Sequence, residues 1–217
     1  SVGLLLQLTE FLTAREVGAQ LNVSRETLER LERYVDLLLK WQRTINLIGP
    51  RTADDIWRRH ILDCGQLKAN IPNTGGNVID IGSGAGLPGL VLAIMGVPDV
   101  YLVEANSRKC SFLREAIRLT ETDATVLNAR VEDVNGLAAT VVTARAVAPL
   151  DQLIEISRLI SNPTTVFIFP KGKCFKKELT DLKNKWSMII NVLPSVTSAE
   201  GVVLKLESLI RVDAPDD

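Results

Sequence analysis

The stretch V-I-D-I-G-S-G-A-G-L-P-G (residues 78–89) decides how this 217-residue chain is read. A short apolar run, Val78, Ile79 and Ile81, carries one acid, Asp80. It then breaks into glycines at every second position, Gly82, Gly84 and Gly86. Leu87-Pro88-Gly89 and a second apolar run, Leu90 to Met95, follow. The pattern spells strand, tight turn, helix start. Glycines admit φ > 0 and let a ligand approach the backbone without Cβ atoms in the way. Proline suits the first helical turn, where its missing N–H costs nothing. Free N–H groups there favour an anionic or strongly polar ligand. The loop is expected to cradle a nucleotide-like cofactor.

Outward from the loop, strands and helices alternate. Strands are expected at 78–81, 100–104, 124–127, 141–144 and 164–169. Helices are expected from about 87 to 95, from a cap at Ser107 to about 119, from 150 to 160, and through the lysine-rich segment to Trp186. Two final strands, 189–193 and 202–210, leave no room for a helix between them. They must be antiparallel, because a parallel crossover needs about a dozen residues or more. Five β/α units and a terminal hairpin make a seven-stranded doubly wound α/β sheet.

The chain before the loop reads as helical. Thr13-x-x-Glu16 has the form of a capping box, and Ser24 is a good N-cap. Leu28, Leu31, Val35 and Leu38 repeat at helical spacing, with Tyr34 and Trp41 alongside. Thr52 is placed as the cap of a further helix that turns Ile56, Ile61, Cys64 and Leu67 to one side. Ile71 to Gly76 reads as a turn or linker. The expected division is a helical extension at 1–76 and an α/β domain at 77–217.

Composition bounds the function. Apolar residues make up 46% and charged residues 24%, which are globular values. The net charge of -1 hides a gradient. From Pro170 to Lys185 six lysines face two acids, and from Ala199 to the end five acids face Lys205 and Arg211. The basic segment permits a polyanionic partner, although a solvated lysine-rich helix has the same composition. Three scattered cysteines, Cys64, Cys110 and Cys174, have no zinc-ligand spacing and make no disulfide framework. This suits a reducing cytoplasm. The apolar patch Leu4–Leu6 lacks the basic flank and length of a signal peptide or membrane span.

Two cofactors compete for the loop. Gly84-x-Gly86-x-x-Gly89 has the dinucleotide spacing. Counted from the first glycine, Gly82, the third fingerprint position is instead Leu87, too large for close helix–strand packing. Asp80, inside the strand end, suits a cationic, amino-acid-bearing ligand such as S-adenosylmethionine, and the terminal hairpin fits a methyltransferase. Glu104, about twenty residues on, can accept from both ribose hydroxyls of either cofactor. Val131-Glu132 is placed to read an adenine or to cap a helix. Arg145 follows strand 4 in T-A-R-A-V-A-P and can hold a phosphate, a guanine edge or a cofactor carboxylate. The Asn/Asp-Pro-Pro-aromatic motif of amino-methylating enzymes is absent there, which speaks against attack through an exocyclic amine. His60, the single histidine, leaves a histidine-rich metal site unexpected. It shares a helix face with Cys64 in the spacing of a thiol–imidazole pair. Nothing else resembles a thiol enzyme, so His60 is expected to hydrogen-bond at the junction between the two parts.

Several motifs occur in one order: W-Q-R-T-I-N-L (41–47), R-H-I-L-D (59–63), the glycine loop, R-V-E (130–132), R-A-V-A (145–148) and P-K-G (170–172). From about residue 24 to 211 the chain resembles the ribosomal RNA small subunit methyltransferase G family (RsmG, also called GidB). The resemblance implies a Rossmann-like class I S-adenosylmethionine-dependent fold with the last strand antiparallel. It implies a cytoplasmic bacterial enzyme; a monomer that uses no metal and touches no membrane is expected. The reaction implied methylates N7 of one guanine, guanine 527, in the 530 loop of 16S rRNA in the 30S subunit, leaving S-adenosylhomocysteine. Cofactor contacts are then expected at Asp80, Gly82, Gly84, Gly86, Leu87, Glu104, Val131, Glu132 and Arg145. RNA or guanine contacts are expected at Asn46, Arg59, His60, Lys109, Lys171 and Lys173. Cys64-Gly65 departs from the Ser-Leu of many relatives. Guanine N7 is a lone-pair acceptor without a proton, so no general base is needed, and Arg145 and Lys171 are expected as positioning groups. The alternatives are an NAD(P)-dependent oxidoreductase and a non-catalytic RNA-binding protein on the same fold.

Overall fold

A computed structural model describes residues 11–212; the patch Leu4–Leu6 and the acids Asp213, Asp216 and Asp217 lie outside the described residues. Seven strands form one sheet: β1 (Asn77–Ile81), β2 (Val100–Val103), β3 (Ala124–Leu127), β4 (Ala139–Thr143), β5 (Ser161–Lys171), β6 (Trp186–Pro194) and β7 (Val202–Arg211). Their order is β3-β2-β1-β4-β5-β7-β6. The first five are parallel, and β7 runs antiparallel to both its neighbours. The final hairpin expected from its short connection is therefore present. The chain winds from β1 outward to β3, then returns to lay β4 on the other side of β1. The strand order reverses at that point, and open α/β sheets bind ligands outside the strand ends at such a reversal.

Helices cover both faces. On one face lie α1 (Ala14–Gln20), α2 (Arg25–Gln42), α3 (Gly89–Ile94) and α4 (Ser107–Thr120); on the other lie α5 (Leu150–Ser157) and α6 (Phe175–Lys183). The capping box is formed: Thr13 Oγ1 accepts the Glu16 N–H at 3.3 Å, and Glu16 Oε2 accepts the Thr13 N–H at 2.8 Å. In α2 the helical stripe buries Leu31, Tyr34, Val35 and Leu38. Tyr34 and Trp41 meet Phe112 of α4 with ring centroids 6.3 and 5.8 Å apart. One core runs unbroken from Val17 and Leu31 through Leu90 to Leu102 and Phe112. The helices before residue 77 thus share their core with the sheet.

Local boundaries differ where side chains found better partners. Thr52 caps no helix. Its hydroxyl donates to the Gly49 carbonyl at 2.7 Å and closes a 3-10 turn, Pro50–Thr52. A π-helical segment, Trp57–Leu62, then runs through one α-turn, Asp63–Gly65, into a 3-10 turn, Gln66–Asn70. Ile56, Ile61, Cys64 and Leu67 do turn inward. The cap of α4 is Asn106, whose Oδ1 accepts the N–H groups of Arg108 and Lys109 at 3.0 and 3.1 Å. Pro88 stands just before α3 rather than in its first turn.

Gly89 marks the tightest approach of helix to sheet. A Cβ added there would lie 2.5 Å from Leu102 Cδ2 and 2.6 Å from Asp80 Cβ. Both neighbours are fully buried and cannot retreat. A Gly89→Ala substitution should therefore lower unfolding stability by about 1–3 kcal/mol through overpacking. Urea denaturation checks this; an unchanged midpoint would show that α3 can slide.

Candidate active site

Asp80 sits beneath the glycine loop, fully buried. Its Oδ1 accepts from Thr143 Oγ1 of β4 at 3.1 Å, and its Oδ2 accepts the Gly89 N–H at 3.0 Å. Both oxygens of this expected ligand contact are thus bonded within the chain. So is one of the helix-start N–H groups read as free for an anion. Burial pushes the Asp80 carboxyl up to about 7, against the hydrogen bonds from Ser83, Gly89 and Thr143 that favour its charge.

The loop above it is held from two further sides. Glu104 Oε2 accepts the Gly84 N–H at 2.9 Å, and Oε1 accepts the Asn106 N–H at 2.7 Å. Tyr34, on α2, donates to the Ala85 carbonyl at 2.7 Å. Gly82, Gly84 and Gly86 all take positive φ, at 63, 56 and 87°. The positions differ in surroundings. Gly84 faces only a backbone oxygen, whereas a Cβ on Gly86 would strike Leu90 at 2.6 Å. Gly86 is therefore a packing glycine; a Cβ on Gly82 would meet Val147 Cγ2 at 2.8 Å, and Gly84 is the open part of the floor.

A cavity of ≈ 520 Å³ stands over that floor, walled by Leu47 to Gly49, Leu87, Lys109 and Arg145 to Val147. Gln42 shapes its upper rim: Oε1 accepts the N–H groups of Leu47 and Ile48 at 2.8 and 2.9 Å. Glu104, Val131 and Glu132 lie at the ends of β2 and after β3, along the crevice but outside this cavity's wall. A second cavity, ≈ 940 Å³, lies between the ends of β4 and β5 and the turn joining β6 to β7. Arg58, Arg59, Lys171 and Lys177 line it together with Asp63, Glu178 and Asp181. Arg145, Ala146 and Val147 line both cavities and form the partition between them.

Arg145 is fixed in that partition. Its Nη1 donates to the Arg59 carbonyl at 3.1 Å and lies 3.5 Å from Asp63 Oδ2; its Nη2 donates to His60 Nδ1 at 2.6 Å. A guanidinium has only donors, so Nδ1 is the acceptor and the proton sits on Nε2. That nitrogen donates to Thr52 Oγ1 at 2.8 Å, and Thr52 donates onward to Gly49. Burial and the nearby Arg145 and Arg59 charges push His60 down to about 3. His60 is buried and both its ring nitrogens are occupied. This residue, expected at the RNA, is thus also an internal hydrogen-bonding link at the wall of the smaller cavity, in keeping with the junction role expected of it. The thiol–imidazole pairing with Cys64 is excluded by the same bonds, and burial pushes that thiol up to about 12.

Lys171 is also engaged, donating to Glu178 Oε2 at 2.7 Å. Asn46, Arg59 and Lys173 are exposed, and Lys109 is half-buried at the cavity mouth. Tyr34, Gln42, Asp63 and Thr143 brace the two cavities although the sequence pattern does not mark them as site residues. Asp63 was legible in part, since Arg59-His60-x-x-Asp63 places all three on neighbouring turns. Among the described residues no group of His, Cys, Asp or Glu could hold a metal ion.

Two linkages oppose each other. Asp80 is raised from 3.8, so its contribution to stability is full below pH 3.8 and is lost as pH rises through about 7. His60 is lowered from 6.5, so its contribution is full above pH 6.5 and is lost as pH falls towards 3. Between pH 4 and 6.5 the slopes cancel, each about 1.4 kcal/mol per pH unit. Asp80→Asn should unmask a stability that falls with acidification. His60→Gln should unmask one that rises. Denaturant unfolding across this window reads both; parallel slopes in the two variants would refute the assignment.

The sequence profile of the family described as GidB, rRNA small subunit methyltransferase G, matches residues 27–206. The ribosomal RNA small subunit methyltransferase G of Paramagnetospirillum magneticum is 50% identical over 198 residues, covering 90% of this chain and 96% of that protein. Its namesake from Rhodospirillum rubrum is 44% identical over 200 residues, covering 92% and 100%. Among solved structures, a mutant of MtNAS in complex with S-adenosylmethionine aligns with a TM-score of 0.58 at 17% identity, covering 92% of this chain and 85% of that one. Ribosomal protein L11 methylase from Lactobacillus delbrueckii subsp. bulgaricus aligns at 0.56 with 13% identity, covering 69% and 78%. These two likenesses concern the fold, which is the Rossmann-like class I methyltransferase architecture. With four-fifths of its length matched by one profile and full-length relatives at this identity, the chain belongs to the GidB family of rRNA small subunit methyltransferases G.

Proposed function

We propose that this enzyme transfers the methyl group of S-adenosylmethionine to N7 of guanine 527 in the 530 loop of 16S rRNA, acting as a cytoplasmic monomer on the 30S subunit. The observation that carries this reading is the shared partition. A cavity over glycine backbone and a cavity lined by five basic side chains and three acids meet at Arg145 to Val147. A sulfonium methyl on one side and a base on the other would come together there. The methionine end lies over Gly82 and Gly84, the ribose at Glu104, and the adenine beside Val131 and Glu132. Leu87 and Arg145 close the cavity. The guanine enters the larger cavity, and Arg59, Lys109, Lys171 and Lys173, with Asn46 at the rim, meet the RNA.

The N7 lone pair attacks the methyl carbon, the carbon–sulfur bond breaks, and its electron pair stays on sulfur. No proton moves, so the chain supplies alignment and water exclusion in place of an acid or base. Arg145, tied to the Arg59 carbonyl, Asp63 and His60, holds the partition without approaching the developing purine cation. Family membership stands against the NAD(P)-dependent oxidoreductase reading, and transfer itself separates the enzyme from an RNA-binding protein.

The deciding experiment incubates unmodified 30S subunits with labelled S-adenosylmethionine and maps 7-methylguanine by strand cleavage. The expected label falls at guanine 527; binding of 30S without transfer would support the non-catalytic reading. A second expectation concerns Lys173, Lys176 and Lys177, two of them exposed on α6 and the third just before it. Each phosphate contact to a single strand contributes a salt slope of about 0.7. Changing all three to glutamine should flatten the slope by about two; an unchanged slope would make the segment an ordinary solvated helix.

A further inference from the structure

The larger cavity contains one carboxylate whose placement exceeds anything that methyl transfer to N7 requires. Glu178, on α6, has its Oε2 pinned by two donors from different elements, the Leu150 N–H at 2.8 Å and Lys171 Nζ at 2.7 Å. Its other oxygen, Oε1, has no hydrogen-bond partner among the described residues, and the side chain keeps 24% of its surface exposed. Fixing one oxygen fixes where the other stands, so Oε1 is an oriented, unspent acceptor in a cavity wall. The other two acids of this cavity differ. Asp63 has both oxygens occupied, by Thr197, Gln66 and Arg145. Asp181 is exposed on the helix surface.

We propose that Glu178 is the specificity-determining residue for guanine, its unspent Oε1 accepting from the base's N1–H and N2 amino group. The inference rests on the N7 reading above. A purine whose N7 faces the partition at Arg145 to Val147 presents its Watson–Crick edge to the remaining wall of the cavity, which Glu178 lines. Glu178 is bonded to the segment just beyond the partition, at Leu150, and through Lys171 to Ala148. Guanine offers two donors on that edge, N1–H and N2–H₂. Adenine offers an acceptor at N1, which a carboxylate repels. A site that hydrogen-bonds a substrate group rejects analogues lacking it, because its own buried polar atom is left unpaired. Methylation at N7 makes the ring cationic and its N1–H more acidic. The bonds to Glu178 therefore strengthen as the transition state forms, and this raises turnover as well as binding.

Inosine tests this. It keeps N7 and N1–H and lacks the N2 amino group. The substrates are 30S subunits reconstituted with 16S rRNA carrying guanine or inosine at the target position. The unaltered enzyme should methylate the inosine substrate about tenfold to hundredfold less efficiently, the cost of one hydrogen bond to a charged group. Glu178→Gln should lower kcat on guanine more than it raises KM, and should bring the guanine-to-inosine ratio close to one. Asp181→Asn should leave that ratio as in the unaltered enzyme. A merely structural role for Glu178 would slow both substrates equally. An unaltered ratio in Glu178→Gln, or a ratio near one in the unaltered enzyme, would overturn the proposal. Absence of methylation of the guanine substrate by the unaltered enzyme would instead sink the N7 reading on which it rests.

Discussion

The buried carboxylate of Asp80 is the joint on which the site depends. It accepts from β4 through Thr143 and from the start of α3 through Gly89, while its own backbone belongs to β1. Three elements thereby meet at the sheet's reversal point, and the glycine loop is stretched between fixed ends. The joint closes only because Gly89 lacks a side chain, so helix and strand approach within the reach of one hydrogen bond. Taking a carboxylate fully out of water is costly. Its donors and its raised pKa show how the chain accommodates it.

Around this joint the protein is built inward from both sides of the loop. The N-terminal helices are part of the main core, and Tyr34 reaches across to the Ala85 carbonyl from a fully buried position. An N-terminal segment that merely covered the sheet would not need a hydroxyl there. Gln42 likewise ends α2 by organising the turn that forms the cavity rim. The helical part therefore shapes the cofactor cavity directly, through residues that carry no chemistry of their own.

The partition joins the two cavities physically. Arg145 is anchored by three groups from the π-helical stretch and the turn that follows it, and the bonds run on through His60 and Thr52 to Gly49 on the cofactor side. Asp63 continues the network on the other side to Thr197, and Gln66 to Ser195, in the turn between β6 and β7. Ala146 takes a φ of 55° in the middle of this wall, a conformation that side chains disfavour. The wall is held in shape from both ends, as alignment of two reactants across it requires.

What the sequence determined by itself was the order and kind of nearly every element, the glycine loop, the place of Glu104 at the end of β2, and the antiparallel hairpin. These follow from signals that act over a few residues: the alternation of apolar runs, capping side chains, glycine spacing, and a connection too short for a crossover. What only the tertiary structure decided was how side chains were spent. Asp80, expected to meet a ligand, joins β1, β4 and α3; His60, expected at the RNA, links Arg145 to Thr52; Thr52, expected as a cap, carries that link to Gly49. Their partners lie far along the chain, 63 residues away for Asp80 and 85 for His60. No local pattern shows which polar group will be buried, and a buried polar group must bond to whatever folding brings beside it.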